Sequence, residues 1–134
     1  MKGYTDLEQS RKLSEILPLE SADACWTNHV FGSLLSSWRI ESTPPQEYKY
    51  LLDRFAVRGY LIEPAWSLAA LLGVLPKHIK DYNVLRIDIG EKDFSMWYDE
   101  IGFGVNSDLP DITMEEPVDA CYEMIIKLHE RKLL

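Results

Sequence analysis

The sequence predicts an α+β fold: an antiparallel sheet built from two hairpins, with helices packed on it. Three observations lead there. Two stretches alternate apolar and polar residues around short glycine-bearing loops. Four stretches place apolar residues at helical spacing, most of them with start or stop signals. The chain has 134 residues, 46% of them hydrophobic, with no low-complexity tract and no linker long enough to divide it. That is enough apolar material for one core without metal or disulfide staples, so a single domain over 1–134 is expected.

The elements follow in order. Thr5, Asp6, Leu7 and Glu8 form a capping-box pattern, with Thr5 as cap and Glu8 reaching back, ahead of a helix from about Asp6 to Leu17 that Pro18 ends. Leu13, Ile16 and Leu17 are its expected buried residues. Trp26 to Glu41 reads as a hairpin, with Gly32 first in a two-residue loop of type II′. On its second arm Leu34, Ser36, Trp38 and Ile40 share one face, expected to be the more buried one. Thr43 caps a second helix with Pro44 in its first position, and Tyr48, Leu51, Leu52 and Phe55 lie on its inward side. Gly59 terminates it, and Tyr60 to Ile62 form a short extended segment.

Trp66 to Leu75 is apolar all round, the pattern of a helix central in a core. Leu85, Ile87 and Ile89 then alternate with Arg86 and Asp88. After the loop Gly90 to Asp93, Phe94, Met96 and Tyr98 alternate again, which makes the second hairpin. Ile101, Phe103 and Val105 continue the alternation at odd positions, and a bulge or bend between Asp99 and Gly102 accounts for the shift. Asn106 to Met114 reads as a polar loop. The last helix starts between Thr113 and Pro117 and runs to about Lys132, with Val118, Cys121, Tyr122, Ile125 and Leu128 as its inward stripe.

Charge divides unevenly. The formal net charge is −8. Residues 81–123 hold twelve acids against Arg86 and Lys92, a net of −10, while the remainder carries +2. Such a field repels phosphate and favours cationic partners, which argues against nucleic acid. The longest apolar stretch, Ala65 to Leu75, is far short of the roughly 20 residues a bilayer span needs. The first twelve residues lack an apolar signal region, so a cytoplasmic protein is expected. Cys25 and Cys121 sit among apolar neighbours, as reduced buried thiols do, though a disulfide between them stays open.

Chemical motifs are weak. Asn106, Asp108 and Asp111, with Glu115 and Glu116 beyond, resemble a calcium-binding cluster but miss the twelve-residue loop pattern; turn and cap formation explain the same residues. His29, His78 and His129 are scattered and lack zinc spacing. Cys25 and His29 have no third orienting group or oxyanion loop. A pair of acids for glycosidic cleavage depends on spatial separation alone. No catalytic residue, metal or cofactor is assigned, and binding is expected rather than catalysis.

Two binding patterns remain. Ala69, Gly73 and Ile79 match the spacing of a helix-turn-helix across residues 67–84, with Lys77, His78 and Lys80 toward phosphates and the second hairpin as a wing. The acidic wing and the net charge oppose it. The favoured pattern is an acidic surface running from the second hairpin into the last helix, for a protein or basic peptide. Trp97, if it points away from Phe94, Met96 and Tyr98, anchors such a partner, with Asp88, Glu91, Asp93, Asp99 and Glu100 around it.

Three stretches carry a resemblance: Leu7-Glu8-Gln9-Ser10-Arg11-Lys12-Leu13 through Asp23, Pro64-Ala65-Trp66-Ser67-Leu68 through Pro76, and the ending from Cys121-Tyr122-Glu123-Met124-Ile125-Ile126 to Leu134. They resemble small uncharacterised proteins encoded in gut-bacterial genomes and their prophages or mobile elements. The resemblance implies a bacterial or phage-related cytoplasmic accessory protein and carries over no functional residues.

Overall fold

Asp6, not Thr5, starts the first helix, α1 (Leu7–Ser14). The Asp6 carboxylate accepts the Gln9 N–H at 2.8 Å, and the Gln9 side chain accepts the Asp6 N–H at 3.0 Å. The capping box is therefore one residue later than the sequence pattern placed it. The reason is tertiary. Thr5 is fully buried; its hydroxyl lies 2.8 Å from the Ser10 hydroxyl and accepts the Trp66 N–H at 3.2 Å.

The computed structural model describes residues 1–31, 34–35, 37–54, 60–80, 83–100, 104–105 and 108–134, with 29–31, 34–35, 51–54, 60 and 104–105 described by their backbone course only. The class is α+β, with helices on antiparallel sheets, and each predicted hairpin is the centre of a sheet of its own. The chain divides into two compact units, Tyr4–Ala70 and Leu71–Leu134 with Met1–Gly3.

In the first unit, β1 (Ala24–Phe31) is central. One edge pairs with β2 (Leu34–Leu35) and β3 (Arg39–Glu41), the other with β4 (Tyr60–Ala65), all antiparallel. Phe31 opposes Leu34, as a two-residue loop requires; Gly32 and Ser33, and so the turn type, lie outside the described residues. On the expected inward face of the second arm Ile40 is 36% exposed and Trp38 half-buried, with the Arg11 guanidinium 5.7 Å over its ring; the side chains of Leu34 and Ser36 lie outside the described residues. β4 is longer than expected, and it holds Pro64 because an edge strand tolerates the missing N–H. α1 packs on β4, as does α2 (Pro45–Arg54). α2 starts with Pro45 rather than Pro44, whose carbonyl accepts the Tyr48 N–H at 3.0 Å. Phe55 and Gly59 lie outside the described residues. Leu13, Cys25 and Trp66 are fully buried, and the Trp66 indole donates to Ser21 Oγ at 2.9 Å.

α3 (Leu68–Val74) is shorter than predicted. Ser67 Oγ accepts the Ala70 N–H at 3.2 Å, and the Asp23 carboxylate accepts both the N–H and the hydroxyl of Ser67. Leu71 is its one fully buried residue, while Ala69 and Gly73 are exposed, so this helix is not wrapped by core on all sides.

In the second unit, β6 (Asn83–Ile89) and β7 (Phe94–Glu100) form the predicted hairpin, from Ile89 opposite Phe94 to Asn83 opposite Glu100. β5 (His78–Ile79) pairs with the start of β6. The far edge of β7 takes two short strands, β8 (Gly104–Val105) and β9 (Ile112–Met114). Asp99 opposes Val105 and Glu100 opposes Gly104 in antiparallel register, while Ile101, Gly102 and Phe103, part of the stretch where the shift in alternation was expected, lie outside the described residues. β9 lies inside the stretch that reads as a polar loop. α4 (Pro117–Glu130) packs on β7 and β9, burying Val118, Cys121, Met124, Ile125 and Leu128 together with Phe94, Met96 and Tyr98. Tyr122, placed on the inward stripe, is half-buried. The Tyr98 hydroxyl donates to the Pro76 carbonyl at 2.8 Å, which removes the cost of burying it.

Candidate functional site

Alternation along β6 and β7 sorts the predicted residues onto two faces. Directly opposed residues share a face, so Val84, Arg86 and Asp88 lie with Asp99, Trp97 and Ser95 on the face away from the Met96 and Tyr98 core. Thr113 of β9 joins them opposite Ser95, its hydroxyl 2.8 Å from Ser95 Oγ. Trp97 does point away from the core, but it is half-buried. Its indole N–H donates to Asp99 Oδ1 at 2.9 Å, and Arg86 Nε lies 3.3 Å from Asp99 Oδ2. Asp99 thus spends its charge on two neighbours of its own sheet. Glu100 falls on the opposite face from Trp97 and Asp99. The predicted patch is split: Trp97, Asp99 and Asp88 share one face, Glu91 and Asp93 sit at the hairpin tip, and Glu100 is apart from both.

The tip residues find other company. A groove of about 260 Å³ opens beside the hairpin loop, with Glu91, Asp93, Glu115 and Glu116 on its walls and Ile89, Phe94 and Pro117 supplying apolar surface. Among the described residues, Lys92 is the one basic side chain lining it. Pairing explains the meeting. Phe94 opposes both Ile89 and Met114, so the end of β6, the start of β7 and the end of β9 lie in one row. Glu115 and Glu116 follow Met114 directly, and Pro117 opens α4. Glu115 and Glu116 were not among the residues expected here, because their location depends on β9, whose three residues carry little strand signal. Within the loop, the Gly90 N–H donates to the Asp93 carbonyl at 2.9 Å, and the Asp93 carboxylate folds over Gly90, where a Cβ would lie 2.5 Å from Oδ1.

Apolar cover thins toward β6. Phe94 and Met96 are 4% and 0% exposed, whereas Ile89 and Ile87, directly opposite them, are 77% and 40% exposed. A larger groove in the first unit, about 430 Å³ between Leu19, Pro45, Gln46, Ile62 and Pro64, has Lys49 as its charged wall residue among the described residues, a sign that does not favour a cation.

The helix-turn-helix pattern is not formed. It needs a second helix beyond Gly73, but His78 and Ile79 form β5, and Lys80 has a positive φ of 54°. Gly73 has no atom within 4 Å of where a Cβ would lie, so no close helix approach calls for a small residue there. Cys25 and Cys121 are free, buried thiols, and burial pushes them up to about 11 and about 12 respectively. Thiols held in that state are poor nucleophiles. Among the described residues, no three His, Cys, Asp or Glu side chains converge on a metal position, and no helix is long and apolar enough to cross a membrane. Asn106, part of the calcium pattern, lies outside the described residues. No family model, curated protein or solved structure matches the chain.

Proposed function

We propose that this chain acts by binding, and that it captures a basic segment of a partner protein at the hairpin tip of its second unit. The observation that supports this reading is the groove lined by Glu91, Asp93, Glu115 and Glu116, with Lys92 and Met1 also on its walls, beside the exposed Ile89; Glu116 also accepts the Lys2 main-chain N–H. A lysine or arginine suits such a place, because its stem lies on apolar surface while its head meets carboxylate. The excess of acidic over basic residues on its walls favours a cation there. The resemblance to bacterial and phage proteins, with two reduced thiols, fits an accessory role in a reducing cytoplasm.

The test is fluorescence anisotropy of a labelled, end-blocked Val-Lys-Val-Lys-Val peptide at low salt, against its Val-Glu-Val-Glu-Val counterpart. The lysine peptide is expected to bind at least about tenfold more tightly, and Glu91→Lys with Glu115→Lys to abolish the difference. Equal affinity for both peptides, or an unchanged preference in the double variant, overturns the reading.

A further inference from the structure

The outward edge of β6 runs to Ile89, which also lines that groove, and its hydrogen-bond phase is set by two contacts. The Gly90 N–H donates to the Asp93 carbonyl, which makes residues 88, 86 and 84 the ones bonded to β7. Residues 85, 87 and 89 then turn their N–H and C=O groups outward. The Leu85 N–H confirms the phase, since it donates outward to the Lys77 carbonyl at 2.9 Å. Beyond Leu85, no backbone bond among the described residues reaches the outward groups of Ile87 and Ile89. These two residues carry the exposed aliphatic side chains, and Asp88 between them points to the opposite face.

We propose that β6 is a docking edge for strand addition, taking an extended partner segment of the pattern aliphatic–basic–aliphatic. This rests on the reading of the chain as a binder of basic segments and adds how the segment is held. The two aliphatic residues pair in bonded register with Ile87 and Ile89 and cover them on one face. The basic residue between them falls on the other face beside Asp88. Main-chain bonds supply affinity, and the alternate side chains supply selectivity.

Register disfavours a second copy of this chain in the two-fold arrangements centred on Asp88 and on Ile87. In the two-fold arrangement where Ile87 and Ile89 bond reciprocally, Asp88 directly opposes its own copy, and like charges facing across a ladder are destabilising. Centring the arrangement on Ile87 instead sets Ile89 of the copy against Leu85, whose edge Lys77 already occupies. A basic residue opposite Asp88 turns the same juxtaposition into attraction.

The experiment uses the full chain and the Val-Lys-Val-Lys-Val probe with backbone N-methylation. Methylating the valines removes the N–H groups that face β6 and is expected to weaken binding about tenfold or more; methylating the lysines, whose N–H groups point away, is expected to leave it within about threefold. Ile87→Pro on the protein side removes one outward N–H that β7 does not use, which an edge strand tolerates, and is expected to weaken binding as the methylated valines do. If that variant does not fold, the peptide pairs alone decide. Binding that ignores the methylation pattern overturns the docking edge and leaves the acidic groove standing. Absence of any preference for lysine over glutamate overturns both. A dimer in sedimentation equilibrium that Ile87→Pro dissociates overturns the choice of partner.

Discussion

Lys2 Nζ lies 2.7 Å from Asp119 Oδ1, and the Lys2 main-chain N–H donates to Glu116 Oε2 at 2.8 Å. One residue thus ties the start of the second unit to the first turn of α4. Glu116 stands at the N-cap of that helix yet makes no side-chain cap bond; its carboxylate is turned to Lys2 instead. The pair sits at 26% and 28% side-chain exposure, between a surface ion pair and a buried one. Lys2→Met is expected to cost about 0.5–1 kcal/mol at low salt, and less as salt is raised. Urea denaturation at two salt concentrations measures it, and a salt-independent loss would assign the effect to packing.

Thr5 and Asp6 separate capping from core hydrogen bonding. Asp6→Ala removes the cap of α1 and is expected to cost about 1 kcal/mol. Thr5→Val keeps the volume but takes the hydroxyl from the Ser10 side chain and the Trp66 N–H, at an expected cost of about 2 kcal/mol. Denaturation midpoints of the two variants settle the order. The reverse order would return the cap to Thr5.

Gly73 lies in α3, exposed and with open space at its Cβ position. Gly73→Ala is expected to stabilise the chain by about 0.5–1 kcal/mol, since alanine narrows the unfolded ensemble and suits the helix. A lower melting temperature would mean that a neighbouring element needs the small residue.

Cys25, Cys121 and Tyr98 all hold their protons more tightly when folded, because burial disfavours the anion. The native state therefore binds more protons than the unfolded chain as pH rises past the ordinary thiol value of about 9. Their contribution to stability is expected to be flat between about pH 7 and 9 and to fall steadily between pH 9 and 11. Thermal melts across that range measure the slope. Iodoacetamide at pH 8 is expected to leave both thiols unmodified in the native protein and to label both in urea.

Much of the element order was legible. The alternation at Leu85, Ile87 and Ile89 and at Phe94, Met96 and Tyr98 located the second hairpin, and the spacing of Val118, Cys121, Ile125 and Leu128 located α4 with its buried side. Those signals are local, because each repeats within a few residues. The first cap was off by one because Thr5 and Asp6 both belong to the residue types that cap helices, and Glu8 completes a capping-box pattern with Thr5. Tertiary demand chose between them when the Thr5 hydroxyl was taken by Ser10 and Trp66. β9 was illegible because three residues beside Pro110 carry almost no period; β7 recruits them by opposing Met96 to Ile112.

The amino-acid order by itself determined the α+β class, the second hairpin and the crowding of carboxylates after residue 80. Only the tertiary structure decided which of those carboxylates face one space. Glu91 and Asp93 line one groove with Glu115 and Glu116 because β9 returns to β7, while Asp99 is drawn into a pair with Arg86. The physical reason is that helical and strand periods are written between neighbours in the chain. Strand pairing is settled between distant segments, by whichever arrangement buries the apolar side chains and satisfies the backbone together.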